Sequence, residues 1–130
     1  FIFDYANHRT EIYGLYDAFS EMHNNNKTLV VFQPHLFSRT RDFAEDFALS
    51  LSQFDSVLLL DIYPAREKPI EGVNSEWLMG KIKNPNKKLM QKADLIAEIK
   101  RQKPEVLVTM GAGDIGLDIS KIQQELEYEN

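Results

Sequence analysis

The residues best suited to chemistry in this chain crowd behind one apolar run. Leu29-Val30-Val31-Phe32 ends at Gln33-Pro34, and His35, Ser38, Arg39 and Arg41 follow at once. An imidazole can give or take a proton near neutral pH. A guanidinium offers a planar fork of donors that matches a carboxylate or a phosphate. Phe43, Phe47 and Leu51 then recur every four residues, the spacing of a helix that buries one face. The cationic cluster therefore sits where a strand hands over to a helix, and the positive end of that helix favours an anion. Three further polar segments follow apolar runs in the same way: Asp4–Arg9, Asp61–Glu67 and Gly111–Asp114.

The elements that must position these groups are legible as a β-α alternation. Phe1–Phe3, Thr28–Phe32, Ser56–Leu60, Lys87–Met90 and Glu105–Thr109 are expected strands. A helix starts near Thr10 and Glu11, with Ile12, Leu15, Tyr16 and Phe19 on its apolar face and His23-Asn24-Asn25-Asn26 as its stop. A second is expected over Thr40–Gln53, with Asp42 at its positive end. A short one, capped by Asn74 or Ser75, runs to Ile82; others cover Ala93–Arg101 and Ile115–Glu127. Pro64 and Pro69 make 62–73 a surface loop. The strands are continuously apolar rather than alternating, which predicts a mostly parallel sheet covered on both faces. The expected fold class is α/β, a Rossmann-like three-layer domain. In such a sheet all four polar segments lie on the carboxyl edge, where ligands bind.

Composition narrows the function classes. At 130 residues the chain suits one domain, residues 1–130. The net charge of −5 argues against a nucleic-acid partner. There is no cysteine, hence no disulfide framework and no thiolate metal site. No spacing of metal ligands, nucleophile elbow or phosphate-binding G-x-x-x-x-G-K-[ST] occurs, so no metal site is expected. No apolar run approaches the roughly 18 residues of a membrane span. Phe1 opens inside an apolar run without an initiator Met, so a fragment of a longer protein is expected.

Four blocks, in order along nearly the whole chain, resemble the C-terminal domain of the Mur ligases. They are Asp4-Tyr5-Ala6-Asn7-His8-Arg9-Thr10-Glu11; Phe32-Gln33-Pro34-His35 through Ser38-Arg39-Thr40-Arg41-Asp42; Asp61-Ile62-Tyr63-Pro64-Ala65-Arg66-Glu67 with Pro69-Ile70 and Gly72-Val73; and Gly111-Ala112-Gly113-Asp114-Ile115. The likeness is strongest to the branch that joins L-alanine to UDP-N-acetylmuramate. Phe3 stands where the family pattern has an acidic residue, Asn7 where it has a histidine, Arg9 where it has a proline, and Leu36 where many members carry an arginine. With one cation fewer, more weight falls on Arg39.

The resemblance implies a cytoplasmic three-domain enzyme of peptidoglycan synthesis, with this domain last. UDP-N-acetylmuramate would bind the N-terminal domain, and ATP and Mg2+ mainly the central one. The C-terminal domain would bring the amino acid and close over ATP. By the same resemblance His35 and Arg39 are the expected catalytic pair. Tyr5, Asn7, His35, Arg39, Gly111, Ala112, Gly113 and Asp114 would line the amino-acid side, and Asp4 and His8 would face the nucleotide. The domain alone is expected to be inactive. The alternatives are a ligase that recycles a whole tripeptide onto the same UDP-sugar, and a non-catalytic α/β binding or regulatory domain. A phosphoacceptor receiver domain is disfavoured, because Asp4 has no acidic neighbour and Thr109–Asp114 holds no lysine.

Overall fold

The structure, a computed structural model, describes residues 2–6 and 27–111. In chain order these form β1 (Ile2–Ala6), β2 (Thr28–Phe32), α1 (Phe37–Asp42), α2 (Ala44–Leu51), β3 (Ser56–Leu59), α3 (Ser75–Met79) and β4 (Lys87–Leu89). A 3-10 turn at Lys92–Asp94 then leads into α4 (Leu95–Gln102), and β5 (Val106–Gly111) follows. The helices expected from Thr10 and over Ile115–Glu127 lie outside the described residues, as do Asn7, His8, Ala112, Gly113 and Asp114.

The five strands form one sheet in the order β1-β5-β2-β3-β4, and every neighbouring pair is parallel. This is the expected α/β class. The cause is visible in β2, whose five residues are all buried. Val30 and Phe32 face one core with Val57, Leu59, Val106, Val108 and Met110, and α2 closes it with Phe47, Ala48 and Leu51. Leu78 of α3 belongs to the same core. Leu29 and Val31 turn the other way, to meet Leu58, Leu107 and the Leu95 and Ile99 of α4. Successive strand residues point to opposite faces, so a run with no polar member is covered on both sides. Among the described residues no helix is long and apolar enough to cross a membrane.

Several element ends differ from expectation by a few residues, and two of these differences bear on the site. β5 runs on to Gly111 and pairs with β1 as Asp4↔Thr109, Tyr5↔Met110 and Ala6↔Gly111. Asp4, Tyr5 and Gly111 are therefore strand residues and not loop residues; the ladder continues beyond the apolar stretch because each strand supplies the other's partners. The helix expected over Thr40–Gln53 begins three residues earlier, at Phe37, and is two helices broken at Phe43 (φ −115°, ψ 17°). Hydrogen bonds still run through the break, from Phe43 N to Arg39 O at 3.0 Å and from Phe47 N to Phe43 O at 2.9 Å. Asp42 thus ends α1 and pairs with Arg41, while Glu45 and Asp46 occupy the first turn of α2.

Side chains fix the remaining ends. The Asn74 Oδ1 accepts from Trp77 N at 2.8 Å, capping α3 as expected. The Asp55 Oδ2 accepts from the amide and hydroxyl of Thr28 at 2.8 and 3.0 Å, tying the start of β2 to the approach of β3. On α4, Glu98 accepts from Arg101, Gln102 and Lys88, and these donors, Arg101 foremost, hold its carboxyl at about 2.

Two measurements check this account. Asn74→Ala is expected to cost about 1 kcal/mol and Leu58→Ala about 2–5 kcal/mol in urea unfolding, the cap against the core. The Glu98 carboxyl sits below its ordinary value of 4.5, so its stabilisation is present above 4.5 and disappears as pH falls toward 2. Urea midpoints over that window are expected to fall less steeply in Glu98→Gln than in the unaltered protein.

Candidate functional site

The carboxyl ends of β1, β5, β2 and β3 share one edge, and the pairing there outlasts the strands. Gln33 N donates to Met110 O at 2.9 Å, and Leu60 N to Phe32 O at 3.0 Å. Further on, Tyr63 N donates to Pro34 O at 2.8 Å and Leu36 N to Tyr63 O at 2.9 Å. These two bonds make an isolated parallel bridge between His35 and Tyr63. The loop after β2 and the loop after β3 are thereby laced together directly over the site.

His35 is set by this lacing. Its ring stacks on Tyr63, centroids 5.9 Å apart and planes 23° from parallel. Its Nδ1 is buried without a hydrogen-bond partner. Burial and then the positive charge of Arg39 hold the imidazole below its ordinary value of 6.5, against a weaker upward pull from Glu67. The ring is therefore neutral at pH 7. It can accept a proton or a hydrogen bond, and it adds no positive charge of its own.

Arg39 lies half-buried on α1, and Leu36 precedes that helix at φ 71°, ψ 137°. A leucine there is in strained backbone, a state that persists only where its surroundings hold it. Its carbonyl accepts from Thr40 N at 3.1 Å and Thr40 Oγ1 at 2.8 Å, and its amide is held by Tyr63.

The N-terminus of α1 does not stand open to an anion, as the sequence suggests. Glu67, from the loop after β3, already occupies it: Ser38 N donates to Glu67 Oε1 at 2.8 Å, and the Ser38 hydroxyl donates to Oε2. The Ser38 hydroxyl first, then its amide, keep the Glu67 carboxyl below the usual range. Of the two arginines on α1, Arg39 is the half-buried one. Arg41 is exposed and bonded to Asp42 at 2.9 Å, and its charge also acts on Glu67.

Residues 1–113 match the family model for the Mur ligase glutamate ligase domain. The chain belongs to the Mur ligase family. It is 61% identical over 97% of its length to the UDP-N-acetylmuramate–L-alanine ligase of Christiangramia forsetii. It is 59% identical over 98% to the protein of that name from Flavobacterium psychrophilum, and 44% identical over 95% to that from Porphyromonas gingivalis. The chain spans 28%, 28% and 27% of the length of these relatives.

In this Mur ligase domain His35 and Arg39 lie near enough for the guanidinium charge to act on the imidazole. Gly111 ends β5 on the same edge, one residue past the Met110 carbonyl that accepts from Gln33 N. Asp4 and Tyr5 lie on the edge strand β1, with β5 between them and β2. Asn7, His8, Ala112, Gly113 and Asp114 fall outside the described residues.

Two participants escaped the sequence. Tyr63 and Glu67 were visible only as members of a polar block, and their partners lie 28 and 29 residues away. Gln33 is a third: its Nε2 donates to Asp61 O at 3.4 Å, but its Oε1 is buried without a partner, like Nδ1 of His35 two residues on. An unsatisfied buried polar atom costs about 1–3 kcal/mol, so the packing around both atoms holds them there against that cost.

The electrostatic order of the site is open to direct measurement. In a histidine NMR titration the midpoint of His35 is expected below 6.5. Arg39→Ala removes one of the two downward influences and is expected to move the midpoint up; a midpoint unmoved or lowered by that change would contradict the pairing.

Proposed function

We propose that this chain is the C-terminal domain of an ATP-dependent ligase that joins L-alanine to UDP-N-acetylmuramate in the cytoplasm, a step of peptidoglycan synthesis. The observation that carries this is the 61% identity, over 97% of the chain, to a relative of that name. The geometry agrees with it. Arg39 is a half-buried guanidinium at the carboxyl edge, suited to bidentate capture of the amino acid's carboxylate. The neighbouring imidazole is neutral, so it can accept a hydrogen bond or a proton from the amino acid's ammonium and free the amine to attack.

The chemistry to be served is acyl activation. ATP phosphorylates the muramate carboxylate; the alanine amine attacks the acyl phosphate; inorganic phosphate leaves. This domain's share is to hold and orient the amine. Gly111, Ala112, Gly113, Asp114, Tyr5 and Asn7 would line the amino-acid side, and Asp4 and His8 the nucleotide side. Among the described residues no three His, Cys, Asp or Glu side chains gather into one cluster. ATP and Mg2+ belong in this proposal mainly to the central domain of the intact enzyme and the UDP-sugar to the N-terminal one, and the domain alone turns nothing over.

The test is phosphate release by the intact protein, dependent on ATP and UDP-N-acetylmuramate, with a panel of free amino acids and the tripeptide. Release greatest with L-alanine is the expected result. Release with the tripeptide alone would instead make it the recycling ligase. Arg39→Ala is expected to raise the KM for L-alanine roughly tenfold to a hundredfold, the loss of a charge-assisted hydrogen bond.

A further inference from the structure

The geometry points to Glu67 as the positioning residue of this site: we propose that it caps α1 from the neighbouring loop and so sets where Arg39 and His35 stand. For its substrate the inference rests on the ligase reading.

The sequence preceding α1 cannot cap it. The residue at the cap position is Leu36, and no side-chain bond is made there. A six-residue helix opening on an apolar, strained residue has unsatisfied amides and little cooperativity to hold it. Glu67 supplies what is missing, through one bond to the Ser38 amide and one to its hydroxyl. Ser38 is the residue next to Arg39, so the bond that fixes the first turn also fixes the base of the guanidinium's stem. Glu67 is itself aimed by a tight turn. Its amide donates to Pro64 O at 2.9 Å, and Ala65 within that turn takes φ 54°, in the left-handed region. Tyr63, one residue before the turn, stacks on His35. A single short segment, Tyr63–Glu67, thus holds the histidine at one end and the arginine's helix at the other. The groups that act electrostatically on His35 are Arg39, which lowers its proton affinity, and Glu67, which raises it.

Kinetics of the intact enzyme and histidine NMR of the same protein test this together. Glu67→Ala is expected to raise the KM for the amino acid roughly fivefold to tenfold while the KM for ATP stays within about twofold. Glu67→Gln keeps an acceptor for Ser38, and its rise is expected to be smaller. Both variants lose the upward pull on His35, so its midpoint is expected to fall. An amino-acid KM unchanged in Glu67→Ala overturns the proposal, and so does an equal rise in every substrate's KM. Where Glu67→Ala does not fold, the same comparison is made on Glu67→Gln. If the unaltered enzyme uses no amino acid at all, the ligase reading has failed. The His35 midpoint then decides alone: a fall in Glu67→Gln supports the coupling, and an unmoved midpoint overturns it.

Discussion

Parallel pairing between β2 and β3 continues past the last sheet residue of each strand, and the site depends on that continuation. Within the sheet it joins Leu29 to Ser56 and Phe32 to Leu59. Beyond it, Pro34, Leu36 and Tyr63 exchange two more backbone bonds. Pro34 has no amide to offer, so only its carbonyl is used, and the chain can leave the ladder into a helix immediately afterwards. The buried core on both faces of the sheet holds the strands in register, and the register carries His35 to Tyr63. Packing thus positions the groups that do the chemistry.

Charge then does a different kind of work. His35 has a cation and an anion acting on it in opposite senses, with burial on the side of the cation. The net result is a neutral ring beside a permanent positive charge. A neutral acceptor and a fixed cation are complementary to a zwitterion, whose ammonium and carboxylate need unlike partners. Two cations would serve the carboxylate and repel the ammonium. Leu36 enters this arrangement through its backbone, its amide bonded to Tyr63 and its carbonyl to Thr40.

What the sequence revealed and what it hid divide along the range of the interactions. β2 was legible to the residue, since Thr28–Phe32 is apolar from end to end apart from its first member. The shared edge was legible from the repeated pattern of apolar run and polar tail. The Asn74 cap was legible because its donor is three residues away. The start of α1 was not, because the group that caps it comes from another loop. Nor was the full extent of β1 and β5, which is a property of the pair: neither strand alone announces that Asp4 will face Thr109. The break at Phe43 has no glycine or proline to mark it. Arg41 shows the opposite error: residue type and spacing put it in the cluster, whereas its bond to Asp42 takes it out to solvent.

The laced loops also limit how such a domain can vary in length. A loop attached only at its ends tolerates an added residue, because the extra length bulges into solvent. Here the segments after β2 and β3 are bonded to each other at Pro34, Leu36 and Ser38 on one side and at Tyr63 and Glu67 on the other. One residue inserted between Leu60 and Tyr63 would put every later contact out of step, unstacking the histidine and uncapping the helix together. Added length is therefore accommodated only where the two segments do not touch.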